Sequence, residues 1–243
     1  MLTADLTQFD LQAHDIVLDL GCGEGRHTNG FYWLEQVRVI GVDLSLSDLH
    51  IAKTRCDELI TSPEFDTKGE AVGYVMANAL TLPFSDHSFD KIICSEVLEH
   101  IHDYESVLVE INRILKPGGT LCVSVPRYWP EKICWLLSDE YHANEGGHLR
   151  IFKTSQLKSS IQQLGLTFTA RHWAHALHSP FWWLKCLFWS TQDRNPLIAA
   201  YHKLLVWDLM SSPKLTRVLE RLLNPVMGKS VVLYFDKPRA SQA

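Results

Sequence analysis

Three observations predict an α/β fold with helices on both faces of a mostly parallel sheet. Short apolar runs alternate with stretches of helical apolar spacing from residue 16 to about 173. Gly21, Gly23 and Gly25 directly follow the apolar run Ile16 to Leu20, so a buried strand enters a tight turn and then a helix. A second apolar run, Val37 to Val42, ends in Asp43. This is the pattern of a nucleotide-binding turn, with a carboxylate waiting at the end of the next strand.

The elements follow in order. Residues 1 to 15 leave room for a lead-in helix only. A helix is expected from about Gly25 to Gln36, and another over Leu46 to Ile60, followed by a polar loop from Thr61 to Glu70. Ala71 to Ala77 reads as a third strand and Ser88 to Cys94 as a fourth. Asp103 should cap a helix through Leu115, which Lys116-Pro117-Gly118-Gly119 ends before a fifth strand, Thr120 to Val125. Pro126 to Arg150 shows no period and is expected to be irregular. Phe152 to Leu164 is helical by spacing, Gly165 ends it, and Leu166 to Trp173 is strand-like. The next strand pattern, Ser230 to Phe235, appears only after a long helical stretch.

Composition bounds the chemistry. With 243 residues, 46% of them hydrophobic and 21% charged, the chain can bury a full core. Its 23 basic and 28 acidic side chains give a net charge of −5, and no basic run stands out, so nucleic acid is not the expected partner; a small molecule is. Cys22, Cys56, Cys94, Cys122, Cys134 and Cys186 are scattered without CxxC spacing and read as reduced thiols of a cytoplasmic protein. Residues near the start include Asp5 and Asp10 and show no export signal.

The glycine spacing is G-x-G-x-G, whereas the dinucleotide fingerprint is G-x-G-x-x-G, so an NAD-dependent oxidoreductase is the weaker reading. Asp19-Leu20-Gly21-Cys22-Gly23-Glu24-Gly25 instead resembles the first motif of the class I methyltransferases that use S-adenosyl-L-methionine (SAM), in the methyltransferase type 11 group. The later segments fall in that family's order. The resemblance implies a Rossmann-like, seven-stranded, mostly parallel sheet with an antiparallel last strand in a three-layer αβα arrangement. It assigns residues 1–173 and 229–243 to the SAM-binding domain and leaves 174–228 as a helical, aromatic-rich insertion before the last strand.

It also implies a site. The backbone of Gly21, Cys22, Gly23 and Gly25 would approach SAM without a Cβ in the way, and Asp19 would accept from its amine. Asp43, with Leu44 beside it, would take the ribose hydroxyls; Ser45 could free it from helix capping. Asn78 stands where the family usually carries an acid for the adenine amino group, with Ala79 next to it, and its side-chain oxygen can still accept. Ligands of open α/β sheets bind outside the carboxyl ends of the strands where strand order reverses, so Ser95 to His100 should face the transferred methyl.

Glu96, Glu99 and His100 stand at i, i+3 and i+4, and a helical turn would put them on one face. This Glu-x-x-Glu-His string is similar to the metal motif of O-methyltransferases of ubiquinone biosynthesis and of small-RNA ends, with His148 as the downstream histidine. Three roles stay open: a divalent ion such as Mg2+ on Glu96, Glu99, His100 and His148; His100 as metal-free base with Glu96 beside it; or a structural role. His172, His175 and His178 are three apart, but on a strand they would not converge on a metal. Tyr141 and His142 are candidate substrate contacts.

The insertion carries much of the aromatic content: seven of the eight tryptophans, all but Trp33, lie after residue 128. It is too short and too interrupted by Lys185 to span a bilayer, and reads as a flap over a hydrophobic acceptor, a peripheral contact with the inner membrane face, or plain packing on the sheet. The expected function is methyl transfer to a small, hydrophobic or lipid-like acceptor, with oxygen favoured. A SAM-binding protein without turnover is the rival.

Overall fold

The computed structural model describes residues 2–62, 66–143 and 146–239. Residues 63–65 of the expected polar loop, 144–145 of the expected irregular stretch and 240–243 of the last domain segment lie outside them. In chain order the elements are α1 (Leu6–Phe9), β1 (Ile16–Leu20), α2 (Arg26–Leu34), β2 (Arg38–Asp43), α3 (Leu46–Thr61), β3 (Ala71–Met76) and β4 (Phe89–Ser95). There follow α4 (Tyr104–Ile114), β5 (Leu115–Pro126), α5 (Tyr128–Leu137), α6 (Asp139–Ala143), α7 (Thr154–Gln163) and β6 (Thr167–Ala174). The chain then runs through α8 (His178–Leu187), α9 (Pro196–Ser211), α10 (Lys214–Met227) and β7 (Ser230–Asp236).

The sheet has seven strands in the order β3-β2-β1-β4-β5-β7-β6. Only β7 runs antiparallel, against both β5 and β6. Alternation along the strands feeds two cores. Leu18, Leu20, Ile92 and Val123 point to α4 and α7, while Val17, Val39, Ile93 and Cys122 point to Phe9 of α1 and Phe31 of α2. Strand order reverses between β1 and β4, which pair from Val17↔Lys91 to Leu20↔Cys94, so the chain leaves both strands side by side at the sheet's carboxyl edge.

Two expectations are corrected. Lys116-Pro117-Gly118-Gly119 does not precede the fifth strand but lies within it: Leu115 already pairs with Phe89, Gly118 takes φ +84, and the register slips between Phe89 and Lys91. The stretch Pro126 to Arg150 is not irregular, because α5 and α6 occupy much of it. Pro130 sits in the first turn of α5, where its missing N–H costs nothing, and the helix packs on α8 with Cys134 and Cys186 both buried. All six cysteines are free and buried.

Candidate functional site

The glycine turn is locked from below and open above. Gly21 and Cys22 donate their N–H groups to Val42 O at 2.7 and 2.9 Å, which ties the turn to β2. Gly21 has φ +72, and a Cβ there would lie 2.2 Å from Cγ2 of Val97; at Gly25, with φ +82, it would lie 2.8 Å from Cβ of Ala52. At Gly23, with φ +49, a Cβ would meet nothing within 4 Å. Two glycines of the turn are therefore packed, and the middle one faces open space.

Asp43 latches the turn. Its Oδ2 accepts from Gly23 N at 2.8 Å and its Oδ1 from Ser45 N at 2.9 Å, while Ser45 caps α3 through Asp48 N. Each carboxylate oxygen keeps a further lone pair. Ala77 N donates to Asp43 O, which brings Asn78 and Ala79 to the same edge; Oδ1 of Asn78 accepts from Leu80 N. Leu44 is exposed beside them. Ser95, one residue past the Leu20↔Cys94 pair, bonds Ser124 Oγ at 2.8 Å. Gly21, Cys22, Gly23, Gly25, Asp43, Leu44, Asn78, Ala79 and Ser95 thus share one edge of the sheet.

Asp19 has another task. It is 1% exposed, and its Oδ2 accepts from both N and Oγ1 of Thr28 at 2.9 and 2.7 Å, so it holds the start of α2 under the turn instead of reaching a ligand above it. Burial, against the Thr28 hydrogen bonds, pushes its pKa from 3.8 up to about 6. The folded state then keeps a proton that the unfolded chain sheds, and stability falls as pH rises between about 4 and 6, by about 2 to 3 kcal/mol. Asp19→Asn is expected to remove that slope; urea unfolding of both proteins at pH 4.5 and 7 measures it, and parallel slopes would refute the assignment.

After β4 the expected helical turn does not form. Glu96 is left-handed at φ +57, its N donates to Ser124 O, and its Oε1 accepts from Ser124 Oγ at 2.9 Å. A short 3₁₀ turn, Leu98–His100, follows. Glu99 turns into the interior with no exposure, and neither carboxylate oxygen has a hydrogen-bond partner among the described residues; burial and then the Glu96 charge raise its pKa well above the carboxylate range. Nδ1 of His100 faces the carbonyl of Gly147 at 3.3 Å, so it carries the proton and leaves Nε2 as the acceptor. Burial and the neighbouring His148 depress its pKa.

Glu99, His100 and His148 can each place one donor atom within 4.8 Å of the others. Glu96 is not in that group, because the left-handed residue directs it elsewhere. His148 is held by Glu131, whose Oε1 accepts from Nδ1 at 2.5 Å. Burial is the largest single influence on Glu131 and works to raise its pKa, but the bond and charge of His148, with Lys229 and Trp135, together outweigh it and hold the carboxyl below its usual range. Tyr141 reaches Glu131 Oε2 with its hydroxyl and packs against His148 and Trp182, whereas His142 stacks on Trp135, whose Nε1 donates to Glu131 Oε1.

A cavity of about 800 Å³ opens beside the turn. Gly25, Arg26, Asn29 and Glu96 line one wall, and Phe181, Trp182, Leu205 and Leu209 of α8 and α9 line the other, with Lys229 between. Sequence reading missed Glu131, Lys229 and Arg150, whose guanidinium binds the carbonyls of Ile101 and His102 and pins the 3₁₀ turn. An acid between Trp129 and Trp135 was the signal in the sequence for Glu131.

The topology and the turn are those expected of a class I, SAM-dependent methyltransferase. Residues 18–123 match the methyltransferase domain family. The chain is 32% identical over 108 residues to O-methyltransferase rstn1 of Aspergillus nomiae, covering 44% of this chain and 45% of that one. It is 29% identical over 160 residues to a sterol 24-C-methyltransferase of Eremothecium gossypii, covering 65% of this chain and 38% of the relative. The chain thus spans less than half the length of these relatives. Phosphoethanolamine N-methyltransferase 2 of Haemonchus contortus, solved with SAM, superposes with a TM-score of 0.61 at 20% identity over 96% of this chain and 51% of that one, which speaks for the fold.

Proposed function

We propose that the protein methylates a small, hydrophobic or lipid-like acceptor at oxygen, using SAM, with the segment 174–228 as the flap over that acceptor. The observation that carries this reading is the 800 Å³ cavity, which has the turn and Glu96 on one side and the aromatic side chains of α8 and α9 on the other.

The residues fit the cofactor. The open side of Gly23 leaves space above exposed main chain, Asp43 retains lone pairs for the ribose, and Asn78 stands at the same edge. Bound SAM supplies an electrophilic methyl on a sulfonium; the protein positions the acceptor and removes its proton. Glu96 orients the hydroxyl from the cavity wall, and Nε2 of His100 receives its proton. Phe181, Trp182 and Leu205 exclude water.

One observation favours a metal-assisted variant: Glu99, whose two oxygens have no hydrogen-bond partner among the described residues, brings one of them within 4.8 Å of a ring nitrogen of His100 and of His148. A Mg2+ or similar ion there would be held by Glu99, His100 and His148 and would acidify the hydroxyl.

Peripheral membrane contact is supported by α10, where Leu215, Val218, Leu219, Leu222 and Val226 are exposed on one face near Lys214 and Arg221. No helix among the described residues is long and apolar enough to cross a membrane. Methyl-labelled SAM incubated with a lipid extract is expected to label an organic-soluble product. Leu222→Asp with Val226→Asp should abolish binding to anionic phospholipid vesicles and spare the melting temperature. Label confined to water-soluble products would sink the acceptor class, and unchanged vesicle binding the membrane contact.

A further inference from the structure

A second group of donors lies where the insertion meets the sheet. β6 ends at Ala174, and the next residue, His175, turns left-handed at φ +64. That turn brings His178, at the start of α8, back against it, with ring centroids 5.4 Å apart. His172, still on the strand, goes elsewhere and bonds Thr3 O. The third donor comes from α10: Glu220, together with His175 and His178, places one donor atom from each residue within 4.8 Å of the others.

These side chains are buried, His178 only partly, and short of partners. His175 is 9% exposed, Glu220 7% and Asp208 1%. Nδ1 of His175, Nδ1 of His178, Oε1 of Glu220 and Oδ1 of Asp208 have no hydrogen-bond partner among the described residues. A buried polar atom left in this state costs about 1 to 3 kcal/mol, so four in one place call for a ligand. Two carboxylate oxygens in the set exclude an anion. Three other atoms of the set are engaged: Nε2 of His175 bonds Thr3 Oγ1 at 3.1 Å, and Arg217 bonds Asp208 Oδ2 and approaches Glu220 Oε2 at 3.7 Å. A neutral histidine with one nitrogen oriented by a hydroxyl and the other free is how metal-ligating histidines are held.

We propose that His175, His178 and Glu220 bind a zinc-type divalent ion. Two imidazoles and a carboxylate suit such an ion and leave a fourth position of a tetrahedral site free. His175, His178 and Asp208 all line the 800 Å³ cavity, so that position faces it. The ion joins the end of β6 to α8 and α10 and so fastens the insertion to the sheet.

The test keeps this group separate from Glu99, His100 and His148 and does not depend on methyl transfer. In a His100→Ala/His148→Ala protein stripped with chelator, Co2+ titration followed by its visible absorption, and Zn2+ competition against it, are expected to show one ion per chain. Glu220→Gln and His178→Ala should each weaken binding by at least about 10-fold, and Thr3→Val, which removes the orienting hydroxyl, by about 10-fold. Zn2+ should raise the melting temperature of the parent and not of the Glu220→Gln protein. If the double-alanine background does not fold, the same titration on the wild-type chain should lose one ion equivalent on Glu220→Gln. A folded protein that takes up no ion, or uptake indifferent to both Glu220→Gln and His178→Ala, overturns the proposal.

Discussion

Gly21→Ala is expected to cripple folding, whereas Gly23→Ala, two residues along the same turn, is expected to leave the fold intact and damage SAM binding. At Gly21 the new Cβ meets Val97 Cγ2 at 2.2 Å, and φ is +72. The left-handed dihedral costs about 1 to 2 kcal/mol, and the overlap adds about 1 to 3 kcal/mol. A marginally stable domain loses much of its stability at that scale. At Gly23 only the dihedral cost applies, because no atom lies within 4 Å of the added carbon. That carbon instead enters the space that the proposed adenosyl ligand would take, and affinity should fall at least about 10-fold, equivalent to 1.4 kcal/mol. Denaturant unfolding and titration calorimetry with S-adenosylhomocysteine separate the two effects. Unaltered affinity in a folded Gly23→Ala protein would move the cofactor off this turn.

His100→Ala should lower kcat about 10² to 10⁴-fold without changing affinity for SAM, the usual range for loss of a general base. The motivating geometry is the Gly147 carbonyl on Nδ1, which leaves Nε2 free to take a proton. Glu96→Gln should chiefly raise KM for the acceptor, since Glu96 lines the cavity and is held by Ser124. Turnover at wild-type rate in His100→Ala would remove it from the reaction. Assays with and without chelator choose between the two variants of the mechanism: insensitivity leaves His100 as a metal-free base, and a chelator loss restored by Mg2+ assigns Glu99, His100 and His148 to an ion.

Much of the sheet was legible because parallel strands buried on both faces must be apolar runs, and because Gly21, Gly25 and Asp43 obey local rules of dihedral and hydrogen bonding. Strand β1 falls at the expected bounds, and Asp103 caps α4 as its spacing implied. Local rules failed where tertiary packing decides. The α5 helix is rich in aromatic residues of modest helix propensity and forms because α8 covers it. Glu96 and Glu99 have helical spacing, but a left-handed residue sends one to the cavity and the other into the core. No periodicity connects His175 and His178 to Glu220, which meet only once α10 is in place.

The position of β7 sets an order of assembly. β6 has β7 as its single neighbour in the sheet, yet β7 is made only after α8, α9 and α10. During synthesis β6 therefore emerges with both edges unmatched and must wait on the ribosome for a partner that arrives after three helices. Through that interval its N–H and C=O groups are open to strands of other nascent chains, so mistakes of pairing should concentrate there. The helices that form the cavity wall would then also act as the first shelter for that strand.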